Sequence, residues 1–398
     1  MKSLRELYRI GRGPSSSHTM GPEAAARRFL AAYPEADAFR VTLYGSLAST
    51  GRGHLTDRAV ESVLGKERTE VVFDTQTGNL PHPNTLDLAA FSGGRELGRE
   101  RVLSVGGGAI RVVGRPEEDT PEIYPERSFA EIAELCKHRR LRLWEYVELR
   151  EGPEIWDFLF EVWSAMKRAI LNGLTASGEL PGGLHVERKA QYLYNQRHID
   201  ESSTTRENRI VCAYAFAVAE ENAAGGIICT APTCGASGVV PAALRYTQEQ
   251  RDFSDREVLR ALAAGGVIGN LIKTNASISG AECGCQAEIG SACAMASAAL
   301  CELFEMDLGQ IEYASEVALE HYLGLTCDPV CGLVQIPCIE RNAVAAMRAI
   351  NCYSLANFLS GTRKISFDLV VRTMYETGKD MSGLYRETAE GGLAKLYK

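Results

Sequence analysis

The sequence predicts an α+β protein: an α/β domain over residues 1–125, then an all-helical domain over 126–398. Two observations carry this reading. Runs rich in β-branched and aromatic residues, Arg40–Tyr44, Glu70–Phe73 and Arg111–Val113, alternate with glycine turns only in the first part. Beyond it strand signals nearly vanish, and Ile155, Leu159, Val162, Met166 and Ile170 recur at the spacing that puts them on one helix face. The charged, proline-rich stretch from Gly114 to Pro121 marks the change in composition and is the expected linker. At 398 residues and 45% hydrophobic content the chain exceeds what one core usually supports and has apolar material for two.

Each part has one element that stands out. In the first, a helix is expected from Pro22 to about Ala32, with Pro22 suited to its opening turn. In the second, residues 287–300 are almost all small, which predicts a helix packed closely on its neighbours and buried centrally. The 43 basic and 51 acidic residues give a net charge of −8 without long single-sign runs, which argues against nucleic acid or an anionic membrane and for a small-molecule partner. The N-terminus has no apolar signal core, and the most apolar stretch, 211–229, is broken by Glu220, Glu221 and Asn222; a cytoplasmic protein is expected.

Twelve cysteines without an export signal point to thiols and metal rather than disulfides. Cys212, Cys293, Cys301 and Cys352 lie in helix-like apolar runs, where cysteine behaves as a small buried hydrophobe. Cys285, Cys327 and Cys338 instead sit in Gly/Pro-punctuated stretches, which suit a shared metal site. Zinc commonly asks for four side chains at close paired spacings, and the fourth is not evident. Three thiolates on a [4Fe–4S] cluster leave one iron open, and an open-site metal acts as a Lewis acid, which suits dehydration better than electron transfer. Cys283 and Cys331 are the alternative ligands.

The blocks Pro14–Thr19, Asn275–Glu282, Gly324–Pro329 and Met374–Met381 resemble the iron–sulfur-dependent L-serine dehydratases of the single-chain type, with fused beta and alpha domains. The resemblance runs from the first residues to the last. It implies a substrate-binding α/β domain closing over a cluster held in the helical domain by Cys285, Cys327 and Cys338, and conversion of L-serine to pyruvate and ammonia. It also implies that Ser15, Ser16, Ser17, His18 and Thr19 form the substrate-binding loop. By themselves these residues read either as a carboxylate-binding segment ahead of a helix N-terminus or as a solvated capping loop. The glycine turn Ser104–Ile110 offers bare backbone to a ligand.

A base must take the Cα proton. His54, in a glycine-rich loop with Thr56 and Asp57 near in sequence, is preferred, and Lys273 is its rival. His18 and Lys273 are expected on the substrate carboxylate, Thr56 at the substrate, and Asn275, Ser277 and Glu282 on the ammonium or in support of the cluster. Pyridoxal phosphate is not expected, because Thr274 and Asn275 after Lys273 supply no phosphate loop. Cys234 and Ser237 depart from the family's local pattern, the first domain is shorter than in longer relatives, and the end, Gly391–Lys398, lacks the tail cysteine of some relatives. The alternatives are another lyase on the same cluster, such as an L-cysteine desulfidase, and a non-catalytic iron–sulfur or amino-acid sensor. A homodimer is the expected assembly.

Overall fold

The computed structural model describes residues 1–115, 121–197 and 200–397; the core of the expected linker, 116–120, lies outside them. Seven strands form two sheets: β1 (Ile10–Arg12), β2 (Ala38–Tyr44), β3 (Thr69–Asp74), β4 (Thr85–Ser92), β5 (Arg95–Gly106), β6 (Ala109–Val112) and β7 (Ile227–Cys229). The larger sheet runs β3-β2-β4-β5-β6, with β2 and β3 parallel and the other pairs antiparallel. Helix Thr56–Leu64 lies in the crossover that a parallel pair requires. Helix Gly21–Ala32, with proline in its first turn as expected, presses Ala25, Ala26 and Phe29 into the sheet's core beside Val41, Leu43 and Leu88.

Of the four strands that escaped the sequence reading, β1, β4, β5 and β7, the two in the larger sheet did so for different reasons. β4 is buried from Thr85 through Ala90, so it lacks the in-out alternation that marks a half-exposed strand. β5 begins with the charged and mostly exposed run Arg95–Arg99, which reads as loop.

Beyond β6 the regular elements of the described chain are helices apart from the short strand β7, as its periodicity predicts. Helix Ser291–Leu303 is buried at all thirteen positions. It packs on Asp255–Asn275, Leu308–Glu320 and Cys338–Leu359. Its alanines and serines allow the close approach, and the helix before it, Asp255–Asn275, opens with a capping box between Ser254 and Glu257.

The two parts interlock at the N-terminus. Met1, Leu4, Leu7 and Tyr8 belong to the helical core. The Tyr8 hydroxyl donates to the Leu262 carbonyl at 2.9 Å. β1 then pairs antiparallel with β7, Ile10 opposite Cys229 and Arg12 opposite Ile227. The chain therefore starts among the helices and reaches the sheet only after the Ser/His segment, which is thereby held at the seam. Among the described residues no helix is long and apolar enough to cross a membrane.

Ala298, fully buried in the central helix, tests this packing. Ala298→Leu is expected to destabilise the protein by about 1–3 kcal/mol through overpacking. Leu171→Ala, at a position 61% exposed, should stay within about 0.5 kcal/mol; thermal and urea unfolding read both.

Candidate active site

The Ser/His segment is fixed before any ligand arrives. Asn222 Nδ2 donates to the Pro14 carbonyl at 2.9 Å, and a Cβ at Gly13 would collide with the Asn222 backbone, so the loop lies tight against helix Ser203–Ala223. Ser15 Oγ accepts from His18 N–H at 3.2 Å. Ser104 Oγ, near the end of β5, donates to the Ser17 carbonyl at 2.7 Å, tying the loop to the sheet. Ser15, Ser16 and Ser17 line a pocket shared with Gly106 and Gly107 of the β5–β6 turn.

Two histidines are locked together behind this loop. Thr19 Oγ1 donates to the His54 carbonyl at 2.8 Å and Thr56 Oγ1 to the His18 carbonyl at 2.6 Å. The imidazoles stack with centroids 4.4 Å apart. His18 hydrogen-bonds Ser17 Oγ through Nδ1 at 3.0 Å and Ser46 Oγ through Nε2 at 2.9 Å. His54 Nδ1 lies 3.1 Å from the Thr50 carbonyl, which can only accept, so Nδ1 carries the proton. Its Nε2 keeps the lone pair and, though buried, has no hydrogen-bond partner. Burial lowers the His54 pKa to about 4. Burial also lowers that of His18, helped by the neighbouring His54.

Cys285, Cys327 and Cys338 line the same pocket from three separate segments. Cys285 follows Gly284, whose φ of +72° is left-handed and whose absent side chain makes room for the Leu325 carbonyl and Met381. Gln286 joins the first two segments: its N–H donates to Leu325 O at 3.2 Å, and its Oε1 accepts from Gly324 N–H at 3.0 Å. Cys338 opens helix Cys338–Leu359, whose Asn342 donates to Gly235 O at 2.7 Å. Arg341, one turn into that helix, donates to Thr326 O at 2.7 Å and pairs with Asp328 at 3.3 Å. A hydrogen bond from Cys327 lowers the Cys285 pKa despite its burial, and Arg341 adds to the effect. The Cys338 thiol is pushed up by burial and by Cys285.

Two carboxylates of the lining were not anticipated. Glu288 accepts from Thr233 Oγ1 at 2.8 Å and sits within 4.8 Å of the Cys285 and Cys327 sulfurs. Glu387 comes from the segment after the last long helix, where its N–H donates to Cys327 O and Tyr385 O accepts from Cys327 N–H, both at 2.8 Å. One carboxylate oxygen of Glu387 and one ring nitrogen each of His18 and His54 lie within 4.8 Å of one another. Burial pushes the Glu387 pKa up to about 8, with Glu288 and Cys285 adding like charge. The only sequence signal for Glu387 is its non-periodic, glycine-punctuated setting, Arg386–Gly392.

Other expected site residues lie elsewhere. Lys273 donates to the Glu6 carbonyl at 2.7 Å, among the N-terminal residues, and burial lowers its pKa to about 8. Asn275 Nδ2 donates to the Leu271 and Arg127 carbonyls at 3.0 and 2.8 Å. Ser277 hydrogen-bonds Glu282 and receives Ser279 N–H at 3.0 Å, shaping the turn whose Ile278, Ser279 and Gly280 do reach the pocket. Cys283 is buried against Gly378 and Cys331 is exposed; neither lines the pocket.

The sequence matches the family described as serine dehydratase alpha chain over residues 98–394 and serine dehydratase beta chain over residues 3–72. The L-serine dehydratase TdcG of Escherichia coli is 40% identical, with 99% of each chain covered. The L-serine dehydratase of Streptomyces coelicolor is also 40% identical, over 98% of each. That of Helicobacter pylori strain 26695 is 38% identical over 100% of this chain and 99% of its own. The chain belongs to the L-serine dehydratases. It is an L-serine ammonia-lyase with the beta and alpha parts fused in one polypeptide. The match to TdcG spans 448 positions against 398 residues here, so that relative carries insertions this dehydratase lacks.

The environment of His54 makes a prediction for pH. A group acting as base must be neutral, and a pKa lowered to about 4 keeps it neutral far below the ordinary imidazole range. The kcat/KM for L-serine, followed with iron content checked at each pH, should show no acid limb near 6.5 from this residue. An imidazole-like limb near 6.5 that His54→Gln abolishes would contradict the described environment.

Proposed function

We propose that this L-serine dehydratase works through a [4Fe–4S] cluster held by Cys285, Cys327 and Cys338, with His54 as the base and no pyridoxal phosphate. One observation carries the reading: three thiols from three segments open on one pocket together with the Ser15–Ser17 loop. The donor set fits. It is all sulfur, it has three members with Cys283 and Cys331 set apart, and Arg341 supplies positive charge beside Cys285 and Cys338. Lys273, bonded to a backbone carbonyl outside the pocket lining, is poorly placed for a Schiff base or for the proton. When bound, the cluster supplies an iron without a protein thiolate, a Lewis acid that eases departure of the substrate hydroxyl.

The chain's own residues do the rest. Ser15, Ser16 and Ser17, with the backbone of Gly106 and Gly107, receive the substrate carboxylate with hydroxyl and N–H donors. His18, held by Ser17 and Ser46, and the Thr19 and Thr56 bonds keep His54 oriented. His54 Nε2, with its lone pair free, takes the Cα proton while Nδ1 keeps its own on the Thr50 carbonyl. Loss of that proton and of hydroxide from the β-carbon leaves aminoacrylate, which tautomerises and hydrolyses in water to pyruvate and ammonia. With all twelve cysteines free, we assign the enzyme to a reducing cytoplasm.

Replacing Cys285, Cys327 or Cys338 singly by Ala should remove iron and activity together, whereas Cys283→Ala and Cys331→Ala should keep both. His54→Ala should keep the iron and lower kcat by about 10²–10⁴. Iron analysis and pyruvate release under anaerobic conditions check these outcomes. Full iron retention in any of the three single variants would overturn the ligand assignment.

A further inference from the structure

L-Serine presents three groups, and the reading above leaves the ammonium without a partner. A cation entering an enclosed pocket needs a carboxyl acceptor there, because an unpaired charge is costly to bury, and its own positive charge draws a carboxyl that burial holds protonated into the ionised form. Among the described lining residues the carboxylates are Glu288 and Glu387. Glu288 is engaged by Thr233 and lies beside the sulfurs of Cys285 and Cys327, on the side assigned to the cluster.

Glu387 is placed differently. One of its carboxylate oxygens lies within 4.8 Å of a ring nitrogen of each of the two histidines. The Ala281 N–H holds the carboxylate, and its other charged influences are the like charges of Glu288 and Cys285, with no cation among them. Its backbone is bonded to Cys327 and adopts a left-handed φ of 58°, a strained conformation for a non-glycine residue that the surrounding structure must enforce. Part of the residue reaches the surface while its carboxyl end is enclosed.

We propose that Glu387 receives the α-ammonium of the substrate and so makes the site select 2-amino acids over 2-hydroxy acids of the same shape. The proposal rests on the pocket assignment above. It gives the C-terminal segment a part in recognition that does not depend on a terminal cysteine.

The test uses the anaerobic, iron-loaded enzyme and two unreactive probes, L-alanine, which has the ammonium, and L-lactate, which has a hydroxyl in its place. Binding is read by ligand-observed NMR, with iron content measured alongside. Wild type should favour L-alanine, and Glu387→Gln should weaken L-alanine by about tenfold or more while leaving L-lactate unchanged or tighter. Glu387→Asp should recover part of the loss. Equal weakening of both probes, no change in either, or loss of iron from Glu387→Gln would overturn the role proposed for Glu387. If wild type bound neither probe, the pocket assignment itself would fall, and this proposal with it.

Discussion

Three thiols facing one buried pocket would repel one another if ionised, and a cation within reach of them offsets that repulsion. Arg341 is that cation. It is largely enclosed, its charge favours the ionised forms of Cys285 and Cys338, and its guanidinium holds the Thr326 carbonyl next to Cys327. From Arg341 the constraint spreads outward. Asp328, its ion-pair partner, accepts the Leu393 N–H at 2.8 Å, which fastens the C-terminal segment over the Cys327 loop. That segment in turn brings Glu387 to the histidines. One buried charge pair thus links the helix that carries Cys338, the loop that carries Cys327 and the end of the chain.

The substrate side depends on a second constraint, the interlocking of the two parts. Because Met1–Tyr8 pack among the helices and β1 pairs with β7, the serine loop leaves the helical core already fixed in position. The sheet meets it through Ser104, and the threonines at 19 and 56 tie the two histidine loops to each other. His54 and the serine loop are therefore set on rigid supports, which suits the roles proposed for them. The same enclosure explains the histidine electrostatics: burial away from water favours the neutral form of both rings.

Much of this was legible in the residues, and the failures follow a pattern. The helix at Gly21–Ala32, the buried small-residue helix and the shift from strand to helix all follow from local patterning, and the structure has them. The turn-flanked setting of Cys285, Cys327 and Cys338 singled out the thiols that share a pocket. Lys273, Asn275 and Ser277 lie near the Cys285 block in sequence but not among the residues that line the pocket. The C-terminal end of helix Asp255–Asn275 turns Lys273 toward Glu6 instead. Glu288, Arg341 and Glu387 were missed because their importance arises only when distant segments meet. β4 hid through burial on both faces and β5 through its charged start.

The proposed ligand set, three cysteines on a four-iron cluster, would leave one iron without a protein thiolate. Mössbauer spectroscopy of ⁵⁷Fe-loaded anaerobic enzyme, recorded without and with L-serine, tests it most directly. The account predicts that about one quarter of the iron is spectroscopically distinct and that this fraction alone shifts when L-serine binds. Four equivalent irons insensitive to L-serine, or a stoichiometry of two irons per chain, would contradict it.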